Sequence, residues 1–268
     1  MTKELTFGYS PCPNDTFMFN ALAAGRTGVE GYQLKPVLHD VETLNGLAMQ
    51  AVLDVSKLSF YAWLAVKERY QLLNSGAAVG FGCGPVLIAN GSLTPADIRQ
   101  CRVVLPGKWT TAHLLFQLWA PDVDQKRFVP YHQIFEDLSS GRADCGVIIH
   151  ESRFTFEAAG FSMVVDLGDW WEAQTGLPIP LGGIAARKSL GGPIITQIDA
   201  AVNRSIRQAM AHPDAALPYI RQHAQEMDGD VINAHIHSFV NDFSLDLNAS
   251  GRQAIQVLES MAKAAGVL

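Results

Sequence analysis

Gly146-Val147-Ile148-Ile149-His150-Glu151-Ser152-Arg153-Phe154 is the run on which the reading of this chain turns. Its apolar, β-branched first half predicts a buried strand over residues 146–149. That strand delivers a histidine at the point where the chain leaves the sheet. In open α/β sheets the carboxyl ends of the strands face the ligand crevice. An unperturbed imidazole titrates near neutrality, so His150 is the candidate catalytic proton acceptor. A histidine on a surface loop is the plain alternative.

Outward from this run, the hydrophobic pattern predicts strands at residues 5–9, 33–38, 86–89, 102–105 and 163–165. Helices are predicted at 17–24 with Gly25 as the stop, from the Asp40 cap through Leu53, and at 60–70, 111–119 and 134–140. Alternation of this kind points to an α/β fold with parallel sheets and crossover helices. From Pro193 onward only helices are read. Two Gly/Pro-rich regions, 76–85 and 177–183, are read as hinges. They bracket a middle block, so the expected organisation is a larger α/β lobe from residues 1–92 and 186–268. A smaller inserted α/β lobe spans 93–185, with an interlobe cleft that closes around a ligand.

Bulk properties remove several function classes. The chain has 268 residues, 48% hydrophobic and 17% charged, which describes a well-packed globule. A net charge of −6 without any Lys/Arg block gives no basis for nucleic-acid binding. No apolar run is long enough for membrane insertion. The opening Met1 to Phe7 enters a strand pattern directly, without the apolar core of a signal peptide, so a cytoplasmic location is expected. Cys12, Cys83, Cys101 and Cys145 form no C-x-x-C pair, which argues against a disulfide framework or a zinc knuckle.

Two motifs are set aside. Gly80-Phe81-Gly82-Cys83-Gly84 lacks the G-x-G-x-x-G spacing and has no acidic residue at the distance that reads a ribose, so it is a turn or hinge. His235-Ile236-His237 could suggest a metal site, but residues two apart on a helix point to different faces. No carboxylate or cysteine joins them at ligand spacing, so a helix surface is expected and no metal is assigned.

Three strand-to-helix turns are rich in hydroxyl or amide groups: Ser10-Pro11-Cys12-Pro13-Asn14-Asp15-Thr16, Asp54-Val55-Ser56-Lys57-Leu58-Ser59 and Pro106-Gly107-Lys108-Trp109-Thr110-Thr111-Ala112. Helix N-termini with such turns favour anions through backbone N–H groups and the helix dipole. Simple capping is the alternative for each one alone. Together they predict a cleft for a small anionic substrate, bounded by Asn14, Thr16, Lys57, Ser59, Thr110, Thr111 and Ala112. Lys57 is read as a positive charge at the cleft edge, and Glu151 and Arg153 as salt-bridged structural residues.

In this order, with Val147-Ile148-Ile149-His150-Glu151 and Arg153-Phe154-Thr155, the segments resemble the 1,4-dihydroxy-6-naphthoate synthase family of the futalosine route to menaquinone. The resemblance runs through about Gly183 and agrees in length. It implies a fold similar to type II periplasmic binding proteins, with two α/β lobes and the site in the cleft. It also implies a lyase that converts cyclic dehypoxanthine futalosine to 1,4-dihydroxy-6-naphthoate without metal or organic cofactor. His150 matches the family's proposed proton acceptor. Lys57 and Ser59, with Thr111 and Ala112, match its substrate-contacting segments. The competing readings are a solute-binding protein of the same architecture, which would require export, and the related chorismate dehydratase. The Ser10 to Asp15 segment argues against the latter.

Overall fold

The computed structural model describes residues 3–224 and 228–268, which carry two β-sheets with helices packed around them. The chain first lays down β1 (Lys3–Tyr9), β2 (Tyr32–Leu38), β3 (Val55–Ser59), β4 (Tyr70–Leu72) and β5 (Ala78–Gly80). It then crosses to β6 (Val86–Ala89), β7 (Val103–Leu105), β8 (Lys126–Phe128), β9 (Cys145–Ile148) and β10 (Ser162–Asp166). Finally β11 (Ile179–Arg187) returns to the first sheet. The first sheet has the order β2-β1-β3-β11-β4, with β5 also paired to β11, and the second has the order β10-β6-β9-β7-β8.

The sheets are mixed, which corrects the expectation of parallel ones. Pairing is parallel within β2-β1-β3 and within β9-β7-β8. It is antiparallel wherever β11 meets β3, β4 and β5, and where β6 meets β9 and β10. β6 enters the second sheet directly from β5 of the first, and β11 returns to the first sheet from β10 of the second through α7, so neither completes a βαβ unit within its own sheet, the arrangement that fixes parallel pairing. Sheet membership also differs from the 93–185 partition at both ends. β6 pairs in the second sheet, and β11 is in the first from Ile179 onward.

Helices α1 (Pro13–Ala23), α2 (Val41–Met49) and α3 (Phe60–Val66) follow β1, β2 and β3. α4 (Thr111–Trp119) follows β7, α5 (Ile134–Ser139) precedes β9, α6 (Ser152–Thr155) follows it, and α7 (Leu167–Thr175) joins β10 to β11. The tail after β11 is helical as expected, with α8 (Gly192–Ala211), α9 (Leu217–His223), α10 (Gly229–Phe239), α11 (Asp242–Leu245) and α12 (Asn248–Ala264). α1 starts earlier than the apolar pattern suggested, because Pro13 at its first turn loses no hydrogen bond and has its φ preset. α3 stops at Val66, and Tyr70 instead opens β4. No helix among the described residues is long and apolar enough to cross a membrane.

Three apolar clusters hold these layers. Leu5, Phe7 and Phe19 pack with Ile198, Val202 and Ile206 of α8 against the first sheet. Val86, Ile88, Val104, Ile134 and Ile148 pack on the second. A third cluster joins Phe60 and Tyr61 of α3, Leu114 and Phe116 of α4, Trp171 of α7 and Leu258 of α12. That cluster ties the two sheets together behind the cleft. Where the chain crosses between sheets, Gly84 lies so close to the start of α7 that a Cβ there would be 2.3 Å from the Gly168 Cα. The Gly-rich run is therefore needed for backbone contact at the crossing.

Candidate active site

Four strand ends converge on one cleft. β1 leads into the turn holding Asn14, β3 ends on Lys57 and Ser59, β7 leads to Thr110, Thr111 and Ala112, and β9 leads to His150. Leu58, Ile149, Leu181 and Phe239 supply apolar wall between these polar groups. The arrangement suits a flat apolar body with a few oriented polar substituents.

Lys57 lines this cleft, but its charge is not free. Its Nζ lies 2.5 Å from Asp15 Oδ1, with both side chains almost fully buried. The Asp15 carboxylate also accepts from Ser10 N at 3.0 Å, Ser10 Oγ at 2.9 Å and Asn14 Nδ2 at 3.1 Å. A positive charge at the cleft edge was the expectation, with a solvated lysine as the alternative. Burial requires a counter-charge instead, and the turn at the head of α1 provides it.

The start of α4 is organised for an anion. Thr110 is the N-cap, its hydroxyl accepting from His113 N at 3.2 Å and donating to Gly107 O at 3.0 Å. The Thr111 hydroxyl donates to Leu181 O at 2.6 Å, binding α4 to β11. Both hydroxyls are thus committed to protein partners. The first N–H groups of a helix lack an intrahelical acceptor, and Thr110 takes up that of His113. Thr111 and Ala112 line the cleft as the first residues of α4, where backbone N–H groups have no intrahelical acceptor and the helix dipole is positive.

Opposite them, Asn45 Nδ2 donates to Ser59 Oγ at 3.2 Å while Asn45 Oδ1 accepts from Ser59 N at 3.0 Å. The Ser59 hydroxyl proton is left to point elsewhere. Thr16 is different. It is fully buried, and its hydroxyl turns back to Cys12 O at 3.0 Å and Pro13 O at 3.3 Å, off the cleft wall.

A latch joins α2 to the turn before α4. The Glu42 carboxylate of α2 accepts from Lys108 N at 2.8 Å and Trp109 N at 3.0 Å, holding the turn before α4. Gly107 makes this approach possible: its φ is +150°, and a Cβ there would be 2.6 Å from the Glu42 carboxyl. Burial raises the pKa of Glu42 above its ordinary value, and the bonds from Trp109, Asn45 and Lys108 oppose that. Glu42→Ala is expected to raise KM about tenfold with a smaller effect on kcat, because it releases positioning contacts outside the reacting centre. Steady-state kinetics check this, and an unchanged KM would remove the latch from the account.

His150 has φ +57°, in the left-handed region that non-glycine residues rarely occupy. Such strain recurs where a side chain must be aimed. Its ring meets Tyr131 edge-on at 5.3 Å between centroids and stacks on His235 at 6.0 Å and 17°. Burial lowers the His150 pKa below 6.5, against the pull of Glu151 and Asp15, so the ring is neutral and basic at pH 7.

His235 corrects the surface reading. It is fully buried, with Nε2 3.0 Å from Asn14 Oδ1, while His237 is exposed. Burial, followed by the charges of His150 and Lys57, pushes its pKa well below the ordinary value. Cys12, His150 and Glu151 offer three ligand atoms within 4.8 Å of one another, the one such set among the described residues. Burial, then the charge of Glu151, pushes the Cys12 thiol far above its ordinary range.

Residues 5–264, nearly the whole chain, match the profile of a family described as menaquinone biosynthesis. The chain belongs to this family. It is 48% identical to 1,4-dihydroxy-6-naphthoate synthase of Thermus thermophilus, over 99% of this chain and 96% of that one. A crystal structure of a protein from Archaeoglobus fulgidus superposes with TM-score 0.93 at 31% identity, covering 99% of this chain and 98% of that chain. The alkanesulfonate-binding protein SsuA of Xanthomonas axonopodis shares the fold alone, with TM-score 0.71 at 15% identity over 99% and 94% of the two chains. The architecture is the two-lobed periplasmic-binding-protein-like fold expected from the sequence.

In this menaquinone-biosynthesis chain the cleft gathers Asn14, Lys57, Ser59, Thr110, Thr111, Ala112 and His150, and leaves Thr16 outside. Arg153 is structural as read, bonded to Gly84 O at 2.7 Å and paired with Asp166 at 2.6 Å. Asp15, Glu42, Asn45 and His235 were not singled out for the site. A signal existed for His235. Ile232, His235, Ile236 and Phe239 follow the i, i+3, i+4, i+7 spacing of a single helix face, and that face is buried.

Proposed function

We propose that this chain is a carbon–carbon lyase forming 1,4-dihydroxy-6-naphthoate from cyclic dehypoxanthine futalosine, with His150 as the general base. The observation that carries the reading is that His150 lines the same cleft as Thr111 and Ala112, the first residues of α4. The substrate carboxylate is held by the backbone N–H groups of those two residues, with the Ser59 hydroxyl as a further donor. The ring system lies against Leu58, Ile149 and Phe239. His150 takes the proton of a sugar hydroxyl. The O–H electron pair becomes a carbonyl, the adjacent carbon–carbon bond breaks, and its electrons pass toward the ring system, whose aromatisation stabilises them. The proton held on His150 leaves before the next turnover. No step as drawn calls for an electron-sink cofactor. The Glu42 latch and the Thr111–Leu181 bond keep α4 seated while water is excluded.

The test offers purified protein cyclic dehypoxanthine futalosine and, separately, chorismate, and follows naphthoate absorbance. Multiple turnovers with the first substrate alone are expected. Tight binding without turnover would favour the solute-binding reading, and consumption of chorismate the dehydratase one.

A further inference from the structure

Behind His150 lie two buried polar atoms that face each other without a hydrogen bond. His235 Nδ1 and Glu151 Oε2 are 3.7 Å apart, and neither has another hydrogen-bond partner among the described residues. The hydrogen-bond network fixes what each can be. Asn14 Nδ2 donates to Asp15 Oδ1, a carboxylate that can only accept while paired to Lys57, so the Asn14 amide has one orientation. Its Oδ1 must then accept from His235, which places a proton on Nε2. A neutral His235 in this tautomer directs a bare lone pair from Nδ1 at Glu151. Two acceptors facing each other in a buried space repel, and each keeps its desolvation cost.

We propose that Glu151 Oε2 and His235 Nδ1 share one proton, making a buried pair of zero net charge that positions His150 and sets its basicity. The inference rests on the reading of His150 as the base. The pair's charge is the same whichever atom carries the proton. A bare carboxylate at the residue next to His150 pulls the imidazole's pKa upward, against the effect of burial. A neutral pair removes that pull, so His150 stays further below its ordinary value. Of the other groups whose charge reaches His150, Asp15 is paired with Lys57, burial keeps Tyr131 and Cys12 un-ionised, and the Asp40 carboxylate at the cap of α2 adds a further upward pull. His235 also supplies the stacked face for the His150 ring. Both partners are positioning residues, since neither lines the cleft.

The pair makes opposite predictions for two isosteric changes. Gln at 151 is neutral like the shared pair and can donate to Nδ1. Gln at 235 cannot hold the shared proton, and leaves a carboxylate beside His150. Titration of His150 is followed by NMR on the full chain with ¹³C-labelled histidine, the resonance being assigned by its loss in His150→Ala. Glu151→Gln is expected to leave the His150 midpoint within about 0.3 pH unit, and His235→Gln to raise it by about one pH unit. A fall of about one pH unit in Glu151→Gln, or no rise in folded His235→Gln, overturns the proposal. The unsubstituted protein gives an independent reading: a His235 Nδ1 nitrogen resonance of a free, unbonded imine also overturns it. None of these measurements requires turnover, so a failed lyase assay and a failed shared proton are told apart.

Discussion

His150→Ala is expected to lower kcat by about 10³-fold with KM within about threefold of the unsubstituted protein, because it removes a general base and leaves the anion-binding wall intact. In the proposed reading the carboxylate donors belong to the α4 backbone and to Ser59, not to the side chain removed. Alanine at φ +57° keeps the backbone strain, so His150→Gly is the companion variant. Both should lose activity, and the glycine form should be at least as stable. Near-normal turnover in either would take the base away from His150.

A pH profile adds a sign. The base must be neutral, and burial lowers the His150 pKa below 6.5. Activity is therefore expected to hold through pH 7 and fall as pH drops through that depressed value. Glutamine at 150 would preserve shape and a hydrogen bond, so an inactive His150→Gln assigns the loss to proton transfer.

What the sequence made legible follows from which forces are local. The run from Gly146 to Ile149 is apolar and β-branched, so the strand and its exit at His150 were readable directly. The N-cap of α4 was readable for the same reason, since Thr110 bonds within its own turn. β11 was not. Pro178 just before it and its own Pro180, Gly182 and Gly183 resemble a hinge, and only pairing with β3, β4 and β5 makes residues from Ile179 onward a strand. A Cβ at Gly182 would lie 2.6 Å from Leu58 O, so the glycine that weakened the strand signal is what lets the two strands meet. Asp15 was passed over because its partner is 42 residues away, and His235 because its partner is 221 away. Long-range polar pairing leaves no periodic trace, whereas the apolar face of α10 did leave one.

Lys57→Met carries the largest expected effect on stability, about 3–5 kcal/mol, since it leaves the Asp15 carboxylate buried without its counter-charge. Ser10 and Asn14 still donate to Asp15, which limits the loss but does not neutralise the charge. Methionine retains most of the lysine stem, so the packing term stays small. If Lys57 served only to attract the substrate, Lys57→Met would raise KM and leave the urea midpoint unchanged. If it serves first as the partner of Asp15, the midpoint falls, and Lys57→Met with Asp15→Asn recovers more than half of the lost stability. The two residues touch, so their effects are not additive, and the recovery is itself the coupling being measured. Urea unfolding of the single and double variants decides between these outcomes. A double variant no more stable than Lys57→Met alone would mean that the buried pair is not what holds the head of α1 against β3.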